Sequence, residues 1–148
     1  MTTNYEEIII NTDGGARGNP GPAAVGIVIS GKKDGHDFLF EHSETIGQQT
    51  NNTAEYMAVI LALRFYGKKN LITNTLTFVL DSELIVRQII GQYRVKELRL
   101  QALVGEVHNL IKELKDKGAI TNVSFRHVLR AQNKRADQLV NQALDSHN

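Results

Sequence analysis

The sequence predicts an α/β fold on a mixed sheet, and three observations predict it. Short β-branched runs bounded by glycine-rich turns come first, a helical apolar period follows, and strand and helix patterns then alternate. The order read along the chain is βββαβααβα. Three strands in series with tight turns give an antiparallel meander. The later β-α-β passages give parallel strands joined by right-handed crossovers, so the five-stranded sheet carries both senses.

The first strand is Glu7-Ile8-Ile9-Ile10-Asn11-Thr12, a β-branched run expected to end in a tight loop at Asp13-Gly14-Gly15. Ala23 to Ser30 is the second, and Gly31 to Gly35 the turn after it. Phe38 to Ile46 is the third, with Phe38, Phe40 and His42 on one side. Asn52 to Tyr66 then carries Ala54, Met57, Ala58, Leu61, Ala62 and Phe65 at helical spacing, with Asn51-Asn52 expected to supply the N-cap. Thr75 to Leu80 is the fourth strand. Ser82 to Ile90 reads as a helix stopped by Gly91, and Val95 to Lys117 as a longer amphipathic helix ended by Gly118. Ala119 to Leu129 is the fifth strand, and a last helix runs from about Asn133 to Leu144.

The chain has 148 residues, the size of one domain, taken as residues 1–148. Its 41% hydrophobic content is enough for a core without cross-links. It has no cysteine, which excludes a disulfide scaffold, a thiolate zinc site, an iron–sulfur cluster and a cysteine nucleophile. The expected location is the cytoplasm. The first residues, Met1 to Glu7, are polar and acidic rather than signal-like, and no apolar run approaches the ~20 residues needed to span a bilayer. Net charge is only +1, but residues 84–136 hold eleven basic and four acidic side chains. That distribution suits either a solvated helix face or a polyanionic partner. Nothing marks an obligate protein partner, and a monomer is expected.

Four carboxylates fall at the ends of four elements. Asp13 follows the first strand, beside a stretch where Gly14, Gly15, Gly18 and Gly21 could let backbone amides cradle a phosphate; an Asx-turn is the simpler role. Glu55 lies in the first turn of its helix, where an acid can serve the dipole. It also shares a face with Ala58 and Ala62, small enough to bring the helix close and turn Glu55 inward. Asp81 ends the fourth strand, as an N-cap or at the strand edge where open α/β sheets bind ligands. Asp137 lies early in the last helix. Four ionised carboxylates in one cleft would repel strongly unless cations compensate them. An all-oxygen site suits magnesium or manganese rather than zinc.

With these residues in view, the chain resembles the ribonuclease H type 1 family. The matching segments are Thr12 to Pro22 (TDGGARGNPGP), Thr50 to Glu55 (TNNTAE), Asp81 to Gln88 (DSELIVRQ) and Arg130 to Asp137 (RAQNKRAD), in the family's order. The resemblance implies an RNase H-like fold with helices on both faces of the sheet. It implies hydrolysis of the RNA strand of RNA/DNA hybrids to 5′-phosphate and 3′-hydroxyl ends, with two Mg2+ ions, or Mn2+, at the site. Asp13, Glu55, Asp81 and Asp137 look like the catalytic metal ligands. Gly14, Gly15, Asn51 and Asn52 look like contacts to the hybrid's minor groove, with Asn19 fixing the glycine stretch. Many members carry a mobile catalytic histidine before the last acid. His127 stands at that distance but within a predicted strand, where it is expected to be a packed structural residue, with Arg130 facing the site instead. A basic, tryptophan-rich protrusion seen in some members is absent; Tyr93, Arg94 and Lys96 stand in its place, as a substrate contact or a helix–helix junction. Two other readings remain: a non-catalytic hybrid-binding module, or another nuclease of this fold acting on DNA.

Overall fold

The structure, a computed structural model, describes residues 3–146. Along the chain the elements are β1 (Thr3–Tyr5), β2 (Glu7–Ala16), β3 (Gly21–Lys33), β4 (His36–Gln49), α1 (Asn51–Lys68), β5 (Leu71–Thr73), β6 (Thr75–Leu80), α2 (Glu83–Ile89), α3 (Leu98–Asp116), β7 (Asn122–His127), a 3-10 turn (Arg130–Gln132) and α4 (Lys134–Ser146). The main sheet has the order β4-β3-β2-β6-β7. The β2–β3 and β3–β4 pairs are antiparallel and the β2–β6 and β6–β7 pairs parallel, so the expected mixed sheet is present.

Hydrophobic burial explains the layering. Ile8, Ile10, Ile27 and Ile29 pack with Val59 and Leu63 of α1 and with Val107 and Ile111 of α3. On the opposite face α4 closes a smaller cluster of Ala24, Val140 and Leu144. There the helix lies so close that a Cβ on Gly26 would stand 2.2 Å from the Ala136 carbonyl oxygen.

Four features differ from the sequence expectations. First, β2 does not stop at Thr12. Asp13, Gly14, Gly15 and Ala16 pair with Gly26, Val25, Ala24 and Ala23, because ladder bonding to β3 outweighs the local turn preference of Asp-Gly-Gly. Second, Thr50 rather than Asn51 or Asn52 caps α1. Its extended backbone lets Oγ1 accept from the Thr53 N–H at 3.2 Å, while the Asn51 side chain is used elsewhere. Third, β1 and β5 form a separate two-stranded parallel sheet, too short to carry a period in the sequence. Fourth, the fifth predicted strand is shorter than read: it spans only Asn122–His127, and the Ala119 N–H instead closes the turn after α3 by bonding to the Leu114 carbonyl.

Two glycine substitutions separate packing from propensity. Gly26→Ala is expected to cost more than about 2 kcal/mol, because backbone rather than a flexible side chain blocks the added methyl. Gly105→Ala, inside α3 with nothing within 4 Å, is expected to stabilise by about 0.5–1 kcal/mol. Urea unfolding of both variants checks this pair of signs.

Candidate active site

The site forms where the sheet splits. The pairing of β2 with β6 ends at Asn11↔Val79, while its pairing with β3 continues to Ala16. One edge of β2 is therefore open from Thr12 onward, and Asp13 lies on it, only 8% exposed. Asp81, the residue after β6, stands beside this opening. Glu55 comes from α1, also 8% exposed. Asp13, Glu55 and Asp81 each offer one carboxylate oxygen, and these oxygens lie within 4.8 Å of one another.

Gly14 explains how α1 comes near enough. A Cβ there would stand 2.1 Å from the Ala54 carbonyl oxygen, so strand and helix backbones meet only because this residue has no side chain. The Gly14 N–H donates to Glu55 Oε1 at 2.7 Å, which fixes the carboxylate and satisfies it in a buried place. The small residues Ala54, Ala58 and Ala62 are fully buried, as their spacing predicts. Glu55 falls in the second turn of α1, since the helix begins at Asn51, so an N-terminal dipole does not account for it. Because residues 13–16 are strand and the Gly14 amide is engaged, the glycine stretch is not the free amide cradle that the sequence allowed.

Asp137 approaches from the other face of the sheet. It is half-buried in the first turn of α4, and its Oδ1 accepts from Arg130 Nη2 at 3.2 Å. Its charge contributes to the field at Asp13. Its placement depends on Asn133, which the sequence reading missed. Asn133 is 1% exposed, donates from Nδ2 to the Thr12 carbonyl at 2.9 Å, and accepts on Oδ1 from Asn11 Nδ2 at 3.0 Å. Its own carbonyl accepts from the Asp137 N–H at 3.2 Å, so one residue ties the start of α4 to the strand carrying Asp13. The signal available was an Asn four residues before Asp137, just ahead of a helix.

The expected substrate residues surround this cleft of about 510 Å³, which Gly14, Gly15, Asn51, Asn52 and Arg130 line. Asn51 Oδ1 accepts from the Ala16 N–H, and Asn19 Oδ1 accepts from the Asn51 N–H, both at 2.9 Å. The two asparagines thus lock the end of β2 and the loop after it onto the start of α1. Tyr93, Arg94 and Lys96 do not line the cleft; they are exposed between α2 and α3, where the Arg87 guanidinium sits 5.5 Å from the Tyr93 ring centre. His127 does end strand β7, opposite Leu80. It is exposed, however, which corrects the expectation of a packed residue: β7 is the edge strand, and its last residue has no element beyond it.

Burial and mutual repulsion raise the proton affinity of the cluster. Burial first, then the Asp81 charge, push the Asp13 carboxyl up to about 7. Burial and the Asp13 charge push Glu55 well above the usual range. Asp81 is raised by burial, and the Asn133 amide beside it pulls the other way. Three crowded, hard oxygen donors whose ionised forms are disfavoured in isolation fit a divalent cation of the magnesium or manganese type.

The fold and this carboxylate cleft define a domain of the nuclease kind. The chain belongs to the reverse transcriptase-like family, whose family model matches residues 11–143, and within it to the type 1 ribonucleases H. It is 43% identical to LC11-RNase H1, whose crystal structure is a complex with RNA/DNA hybrid; the match has a TM-score of 0.83 and covers 95% of this chain and 99% of that one. The RNase H1 structure from the halophilic archaeon Halobacterium salinarum is 36% identical, with a TM-score of 0.82 over 95% of this chain and 98% of that one. A bifunctional protein of Mycobacterium tuberculosis is 35% identical over 95% of this chain. The chain spans 36% of that protein's length and 62% of the full Halobacterium ribonuclease HI.

A group whose proton is held more tightly when folded contributes stability that is present at low pH and lost as pH rises. For Asp13 the loss runs from about pH 4, where an unfolded aspartate ionises, to about 7. In chelator, Asp13→Asn is therefore expected to melt close to wild type at pH 4 and increasingly above it toward pH 7. Magnesium at pH 7.5 should raise the melting temperature of wild type much more than that of the variant. Paired thermal melts across pH check both trends. His127→Ala, at an exposed strand end, is expected to change stability by no more than about 0.5 kcal/mol, by the same melts.

Proposed function

We propose that this protein is a ribonuclease H that hydrolyses the RNA strand of RNA/DNA hybrids with two divalent ions, Mg2+ or Mn2+, leaving 5′-phosphate and 3′-hydroxyl ends. The observation that carries the reading is the convergence of Asp13, Glu55 and Asp81 from three separate elements, with oxygens within 4.8 Å of one another, at the end of a cleft. Asp137 is the fourth ligand in this reading. The likeness to a hybrid-bound relative over nearly the whole of both chains supports the substrate. Among the described residues no helix is long and apolar enough to cross a membrane. In this reading the enzyme is a cytoplasmic monomer.

The residues would divide the work as follows. Asp13, Glu55, Asp81 and Asp137 hold the ions, which when bound supply charge neutralisation and an activated water for in-line displacement at phosphorus. The Gly14 amide keeps Glu55 aimed into the cleft. Asn133 holds α4, and with it Asp137, against β2. Asn51 and Asn52 stand at the cleft wall with side-chain amides able to sense 2′-hydroxyls, which distinguish RNA from DNA. Asn51 is fixed in place through Asn19 and Ala16. Arg130 supplies a cation at the edge where a phosphate backbone would pass.

The test uses end-labelled hybrid, each single strand, and RNA and DNA duplexes, with magnesium, manganese or chelator. The expected result is cleavage of the RNA strand in the hybrid alone, abolished by chelator. Asp13→Asn and Asp81→Asn should each lower kcat by about a thousandfold or more while the protein remains folded. Hybrid binding without cleavage in either metal would replace this reading with the binding module, and cutting of duplex DNA with the DNA nuclease.

A further inference from the structure

Among the described residues lining the cleft the cations are Arg17 and Arg130, and carboxylates of α4 hold both. Arg130 reaches Asp137. Arg17 Nη2 reaches Asp145 Oδ1 at 2.6 Å and Asn141 Oδ1 at 3.4 Å. Arg17 stands four residues beyond Asp13, just past the end of β2, and its backbone N–H is anchored to the Pro22 carbonyl at 2.9 Å. The side chains of the pair are 46% and 67% exposed, and such an ion pair in water is weak. It is therefore a contact that a stronger anion can displace, not a brace on the fold. Asp145 meets the guanidinium through a single oxygen, whereas a phosphate can accept two parallel bonds from it.

The spacing suits a nucleic acid strand. Asp137 and Asp145 are eight residues apart on α4, about 12 Å along the helix axis. A backbone running from the carboxylate cluster along α4 would reach Arg17 at that distance.

We propose that Arg17 binds a backbone phosphate of the hybrid a few nucleotides from the scissile one, and that Asp145 is the counter-ion holding its guanidinium until that phosphate arrives. The inference rests on the hybrid-cleavage reading above. Arg17 thereby sets affinity and register, and Asp145 opposes binding twice, by occupying the guanidinium and by repelling the incoming phosphate.

Steady-state cleavage of hybrid across a salt series tests this. Arg17→Ala is expected to raise KM about three- to tenfold, and to make the slope of log(kcat/KM) against log salt shallower by about one charge. Arg17→Lys should retain most of the slope, and Asp145→Asn should lower KM. Hybrids carrying a single neutral methylphosphonate, placed along the RNA or the DNA strand in turn, identify the phosphate. At the right position wild type and Arg17→Ala should become equal. An unchanged salt slope in Arg17→Ala, or an Arg17 effect that no neutralised position removes, overturns the proposal. So does a loss confined to melting temperature. If wild type cleaves nothing, the catalytic reading fails, and the same variants and hybrids measured by fluorescence anisotropy still decide the Arg17 contact.

Discussion

The hydrogen bond from the Gly14 amide to the Glu55 carboxylate is the constraint around which the site is built. A buried carboxylate needs a donor, and here the donor is main chain. For it to reach, α1 must lie against β2 at backbone contact, which requires glycine at 14 and small residues on the facing helix. β2 must also continue as strand past Thr12, so that the Gly14 N–H points away from β3 and toward α1. Strand extension, helix approach and orientation of Glu55 are thus one arrangement seen from three sides.

The opposite face repeats the device with different parts. Gly26 lets α4 approach β3 at backbone contact, and Asn133 bonds the start of α4 to Asn11 and Thr12. β2 therefore carries an acid at the point where two layers are held to it by main-chain contacts. Each clamp is rigid, which explains how like charges can be kept together. Burial is the first cause of the raised proton affinities of Asp13, Glu55 and Asp81, and neighbouring carboxylate charge adds to it. Cation binding and protonation are alternative ways to relieve the same repulsion, which couples the chemistry of the site to the stability of the fold.

Much of this was legible along the chain because it is periodic. The β-branched run from Glu7, the alanine spacing after Glu55 and the amphipathic stretch before Gly118 each report the face they bury. The acids were also legible as candidates, because the sequence puts each near a predicted element end where no hydrophobic period explains it. Other features left no local trace. Asp13-Gly14-Gly15 reads as a turn by propensity and becomes strand only because β3 lies alongside. Thr50 displaces Asn51 as helix cap because the Asn51 side chain has a partner on Ala16, thirty-five residues away. His127 reads as a packed strand residue and is exposed only because β7 has no neighbour on its outer side.

By itself the sequence determined the order and type of the main elements, the mixed sense of the sheet and the identity of the acids, because these follow from spacing within single segments. Tertiary structure alone decided which oxygens meet, that Asn133 ties the start of α4 to Thr12, and that Arg17 stands opposite Asp145. Those relations join residues tens to more than a hundred positions apart. Their distances are set by how closely backbones pack across layers, a quantity that no local pattern of side chains records.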